Sequence, residues 1–174
     1  MKYLVKFVVV TLFVLVCTYA QAEQKIVYID MKYVLNNSKA GKGAQDFLKK
    51  SLADNNKKFL DIEDKLKKDE TDLLEKKNIL SKEDYQKKAD GLRKNVIDYQ
   101  SQRRAALDKI ATQRASARQK LLETIDPILN AYITENNVSL VIDKKNVLGG
   151  NTDIDITNII VEKLNKELPS LSLK

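Results

Sequence analysis

The spacing of large apolar residues through the middle of the chain constrains its fold more than any other feature. Leu52, Phe59, Leu66, Leu73 and Leu80 fall seven apart. More than half of residues 57–80 are charged. A seven-residue beat keeps side chains on one stripe of an α-helix and has no counterpart in the two-residue alternation of a strand. Leu48 and Ile62 occupy the second seam position, while Asn55, Asp69 and Lys76 interrupt it. With no Gly or Pro between Ala44 and Leu80, the stretch predicts a helix ending near Leu80. At 1.5 Å per residue it makes a rod of about 60 Å.

A second helix follows at once. Ser81-Lys82-Glu83-Asp84 is a start signal, with Ser81 as N-cap and acids in the first turn. One series then runs through Tyr85, Leu92, Tyr99 and Ala106, and another through Ala89, Val96, Ile110 and Ala117, with Arg103 filling its gap. Beyond Ala117 the step changes through Leu121, Ile125, Ile128 and Tyr132, a local stutter. Two long helices joined by a short turn lie antiparallel, so residues 44–117 read as a hairpin. Its seam comprises Leu52, Phe59, Leu66, Leu73, Leu80, Tyr85, Leu92, Val96 and Tyr99. Each stabilises by about 1.5–3 kcal/mol only if fully buried, and two helices alone bury little. The hairpin is therefore expected to be loose towards its tip. Gly91 reads equally as a tolerated surface glycine or as a flexing point.

Both ends of the chain look different. Residues 25–29, KIVYI, predict a strand, and Asp30 caps a short helical segment broken at Asn36-Asn37-Ser38. Asp126-Pro127 is expected to break or restart the second helix. Val138-Ser139-Leu140-Val141-Ile142-Asp143 predicts a strong strand, Lys144-Lys145 a turn, and Asn146-Val147-Leu148 a second short strand before Gly149-Gly150. Asp155-Ile156-Thr157 opens a last helix with Ile156, Ile160 and Leu164 on one face. The expected fold is α+β and mostly α: a small β-rich body, built from both termini, from which the hairpin projects. The divisions are 1–22 as a leader, 23–40 and 122–174 as the two parts of the body, and 41–121 as the arm. Three short strands cannot stand alone at this size. Self-association is expected to complete the body, around Ile26, Tyr28, Leu140, Ile142, Val147, Ile156 and Ile160.

The first 22 residues have the pattern of an export signal. Lys2 and Lys6 are basic, residues 4–16 are mostly apolar, and Ala20-Gln21-Ala22 is a small-x-small cleavage site. A signal anchor is the alternative, against which the apolar run is short for a bilayer. Cys17, preceded by the large Val16, fits a lipoprotein site poorly. Cleavage after Ala22 leaves a chain with no Cys, His or Trp. Disulfides, His/Cys metal sites, Cys nucleophiles and His general bases are thereby excluded. Charge is uneven: residues 41–121 hold 21 Lys and Arg against 14 Asp and Glu, a net of +7. The rest of the chain from Glu23 holds 8 against 10, a net of −2. A basic stripe favours an acidic partner.

No catalytic constellation is apparent, and no metal or cofactor is called for. Gly41-Lys42-Gly43 lacks the spacing of a phosphate loop and reads as a helix-entry hinge. Asp61, Glu63 and Asp64 lie among lysines, as on a solvated helix face, while Asp153 and Asp155 suit a turn and a cap. Asn36-Asn37-Ser38 and Asn137-Val138-Ser139 are glycosylation acceptor triplets of a kind that arise by chance. The remaining candidate is the arm's cationic surface: Lys49-Lys50, Lys57-Lys58, Lys67-Lys68, Lys76-Lys77, Lys87-Lys88, Arg93-Lys94 and Arg103-Arg104. Adjacent side chains splay, so these doublets spread charge around the rod instead of drawing one groove-reading edge. Phe59, Tyr85 and Tyr99 sit on the seam, which argues against specific reading of nucleic acid.

Residues 26–50, IVYIDMKYVLNNSKAGKGAQDFLKK, resemble the N-terminal segment of the Skp/OmpH family of periplasmic chaperones. Residues 138–168, VSLVIDKKNVLGGNTDIDITNIIVEKLNKEL, resemble its C-terminal segment, including the Asp155-Ile156-Thr157 helix start. The resemblance implies a homotrimer whose hairpins surround a cavity. It also implies ATP-independent holding of unfolded outer-membrane β-barrel proteins in the periplasm. Some family members are linked to lipopolysaccharide, so anionic lipid is a further partner class, with no positions here matched to it. A basic nucleic-acid binder and a non-catalytic coiled-coil spacer are the alternatives.

Overall fold

The computed structural model describes residues 24–173. The leader and its Ala20 and Ala22 cleavage positions lie outside the described residues. The chain begins with β1 (Lys25–Ile29), α1 (Met31–Asn37) and α2 (Lys39–Glu75). It returns through α3 (Lys82–Glu135) to β2 (Val138–Asp143) and ends in α4 (Thr157–Glu167). Among the described residues, no helix is long and apolar enough to cross a membrane.

The two strands pair in parallel, from Lys25 opposite Val138 to Ile29 opposite Asp143, with an irregularity after Lys25. A parallel pair needs a long crossover connection, and here the whole hairpin is that crossover. On its other side β1 makes a single parallel bridge, Tyr28 to Asp155, and the Ile156 amide donates to the Tyr28 carbonyl at 3.0 Å. The expected strand at Asn146-Val147-Leu148 does not form. Lys144-Lys145 supplies no left-handed residue for a tight hairpin turn. The Asp143 carboxylate instead accepts from the Lys145 amide at 3.1 Å and winds Lys144–Asn146 into one 3-10 turn.

Capping side chains set the element ends. Asp30 accepts from the Tyr33 amide at 2.7 Å, while its own amide donates to the Thr157 hydroxyl at 2.8 Å, tying α1 to α4. Ser38, fully buried, closes α1 and opens α2 by accepting from the Gly41 amide at 3.2 Å. A Cβ on Gly41 would stand 1.9 Å from the Leu35 carbonyl oxygen, so glycine is required where α1 folds back over α2. Helix α2 ends at Glu75, sooner than Leu80, because the amides of Ile79 and Leu80 both turn back to the Lys76 carbonyl. Ser81 starts α3, accepting from the Asp84 amide and donating to the Asp84 carboxylate at 2.7 Å.

Pro127 neither breaks nor restarts α3, which is continuous through it. A mid-helix proline costs about 3 kcal/mol, but Ile125, Ile128 and Tyr132 on either side are buried and hold the helix against the sheet. The stuttered residues Leu121, Ile125, Ile128 and Tyr132 join Val27, Ile29, Val34, Ala40, Val138, Ile156, Ile160 and Leu164 in one core. Asn137, in the left-handed region at φ 51°, turns the chain from α3 into β2.

Candidate functional site

The arm is α2 packed against α3, and its packing changes along its length. Near the body, Ala44, Leu48, Ile110, Gln113 and Ala117 are buried. Gln113 escaped the sequence reading although it falls seven beyond Ala106; the seam continues through it. Further out, Phe59 is buried and its ring meets Tyr99 edge-on, with centroids 6.0 Å apart. The Tyr99 hydroxyl donates to Glu63 Oε2 at 3.2 Å, and Glu63 Oε1 pairs with Lys67 at 2.9 Å. That lysine, first by hydrogen bonding and then by charge, holds the Glu63 carboxyl below its ordinary value, and Glu63 in turn raises Lys67. The rest of the predicted seam (Leu52, Leu66, Leu73, Leu80, Tyr85, Leu92, Val96 and Tyr99) is only half-buried.

Every lysine and arginine of the seven doublets is exposed. Of these, only Lys67 and Arg93 form ion pairs with described residues, Arg93 with Asp90 at 2.6 Å. Lys58 stands over the Phe59 ring at 5.4 Å. The positive excess of the arm is therefore mostly uncompensated. Apolar side chains lie among these cations: Leu60, Leu74, Ile97 and Leu107 are all exposed. Each follows a seam residue by one place, so a reading that tracked only the seam passed over them.

Two clefts open along the arm. A basal cleft of about 660 Å³ has Leu35, Leu48, Leu52 and Leu121 on its floor, with Lys49, Arg114, Arg118 and Asp46 around it. A distal cleft of about 670 Å³ lies over Leu66, Leu73, Leu92 and Val96, beyond the Phe59–Tyr99 contact. No group of three or more potential metal-ligating side chains exists among the described residues.

The body presents a third surface. Tyr28, Ile156 and Ile160 belong to the chain's own core. Ile142 and Val147 are half-buried, while Ile26 and Leu140, paired across the two strands, are 42% and 51% exposed. Lys144 reaches over the Tyr28 ring at 5.7 Å and pairs with Asp155 at 3.3 Å. Burial alone would raise the Asp155 carboxyl, but hydrogen bonds from Thr157 and the Lys144 ammonium together hold it below its ordinary value.

Residues 25–164 match the family described as Outer membrane protein (OmpH-like). No match is found among curated proteins. Among solved structures, a protein described as an outer membrane chaperone (OmpH-like) from Caulobacter crescentus CB15 shares this fold with a TM-score of 0.79. The match covers 89% of this chain and 92% of that one at 17% identity. With the family match spanning the strand pair, the whole arm and most of the last helix, this chain belongs to the OmpH-like outer membrane protein family.

Proposed function

We propose that this protein is a non-catalytic, ATP-independent holding chaperone of the periplasm, reached through a cleaved leader. Its clients are unfolded outer-membrane β-barrel proteins, kept from aggregating in transit. The observation that carries this reading is the arm's surface, where uncompensated cations alternate with exposed Leu60, Leu74, Ile97 and Leu107. Such a surface makes many weak contacts that become strong together through multivalency. Release then needs no nucleotide, because each contact breaks singly. The cationic doublets from Lys49-Lys50 to Arg103-Arg104 attract acidic segments, and apolar residues near the arm base retain them. The same cations suit anionic lipid or lipopolysaccharide as a further partner.

The working form is a homotrimer whose arms, residues 41–121, surround a cavity, with the bodies of residues 23–40 and 122–174 joined. Ile26 and Leu140 form an exposed apolar pair on a two-stranded sheet whose β2 edge has no partner among the described residues. Sheets this small need further cover. The test is dilution of a urea-unfolded outer-membrane barrel into buffer containing the purified protein, followed by light scattering. Suppressed scattering is expected, with capture slowing as salt rises. Unchanged aggregation beside a stable oligomer would instead favour a coiled-coil spacer.

A further inference from the structure

Resting on the chaperone reading above, we infer that the arm holds client along one face only, and that this face takes extended segments mixing acidic and apolar side chains. The sign of the charges and the helical geometry carry it. In the basal cleft, Lys49 follows the seam residue Leu48, Arg114 follows Gln113 and Arg118 follows Ala117. In the distal cleft, Lys67 follows Leu66, Leu74 follows Leu73 and Arg93 follows Leu92. A step of one residue turns a helical side chain by about 100°. In an antiparallel pair, the flank following each seam is on the same side for both helices. Both clefts therefore open on one face of the hairpin.

Their charges differ. Around the distal cleft Lys67 and Arg93 are already paired with Glu63 and Asp90. Around the basal cleft none of Lys49, Arg114 and Arg118 forms an ion pair with a described residue, and Asp46 is the lone carboxylate lining it. Three unpaired cations around an apolar floor complement a carboxylate beside an aromatic or aliphatic side chain. The distal cleft also has Glu70 and Arg103 in its lining, one carboxylate and one cation outside any ion pair among the described residues, so its charges nearly offset and it takes the apolar portion. Lys49 and Lys67 are 18 positions apart, about 27 Å along a helix, a span that about eight residues of extended chain cover. The opposite flank is cationic too, through Lys65 before Leu66 and Lys109 before Ile110, but neither residue lines a described cleft.

The test uses a fluorescent 12-residue peptide of alternating aromatic and aspartate residues, titrated with the purified protein and two charge-matched variants. R114E/R118E reverses the basal cleft, and K65E/K109E makes the same charge change on the opposite flank. All four residues are exposed, so both variants should keep wild-type circular dichroism and oligomeric mass. The expected result is binding weakened tenfold or more by R114E/R118E and less than twofold by K65E/K109E. Equal weakening by both would mean a diffuse field and overturn the one-face assignment, as would no weakening by either. A changed mass confined to R114E/R118E would make the cleft a contact between copies and overturn it. So would loss of anionic-vesicle binding with peptide binding intact. If R114E/R118E binds peptide normally while wild type still suppresses barrel aggregation, only the face assignment falls. If wild type does neither, the chaperone reading falls with it.

Discussion

The body and the arm are made from one chain but obey different packing rules. In the body Val34, Ile125, Ile160 and Leu164 have no exposed surface, and sheet, helices and caps converge on them. In the arm a comparable stripe of leucines and tyrosines faces only one neighbouring helix and stays half-covered. The difference teaches that heptad spacing specifies which side chains meet, whereas the number of layers decides how far they are buried. A core closed on several sides gives one cooperative unit, while a two-helix seam opens piecemeal from its free end. A closed body and an open arm are thus encoded by the same kinds of residue.

The sharpest way to break this contrast is to delete matching side chains. Ile160→Ala is expected to cost about 2–5 kcal/mol, read as a fall in the urea midpoint. Leu73→Ala should move that midpoint little and instead speed amide exchange across the arm tip. Equal costs would mean that the arm is as tightly packed as the body. The glycines come next. Gly41→Ala drives a methyl into the Leu35 carbonyl and should destabilise by about 1–3 kcal/mol. Gly91→Ala meets nothing within 4 Å and should stabilise α3 by up to about 1 kcal/mol, visible as slower exchange in the arm alone. A destabilised Gly91→Ala would show that the arm needs its flexing point.

The smallest effect sharpens the comparison through pH. Asp155 has a folded pKa below its ordinary value of 3.8. Folding therefore favours its ionised form, and its contribution is complete above the unfolded value. It is lost as pH falls below about 4 and through the folded value. Acid titration of stability should be shallower in Asp155→Asn than in wild type. Glu63, half-buried on the arm and screened by solvent, should add a smaller slope when changed to Gln.

Local chemistry was legible wherever a side chain acts on its own neighbours. Asp30 and Ser81 cap the helices they precede, Asp155 accepts from the Thr157 amide at 2.9 Å, and the apolar beat led to the hairpin. Three features resisted because distant groups decide them. Pro127 stays helical because buried residues on both sides outweigh the lost bond. Asn146-Val147-Leu148 had strand-like residues, but no strand lies beside it to pair with among the described residues. The parallel sense of β1 and β2 follows from the course of the intervening arm and leaves no trace in either strand. In the candidate site, the cationic doublets were plain. The clefts were not, because they depend on which flank of each helix meets its partner.

The arm leaves the body and returns to it between two strands that lie side by side. Its length is therefore a variable that evolution can change without disturbing anything else. Adding one heptad to each helix would extend the rod by about 10 Å while α1, the strand pair and α4 kept every contact. Reach and anchorage are thus separable in this fold, and arm length could change by duplication within the hairpin alone.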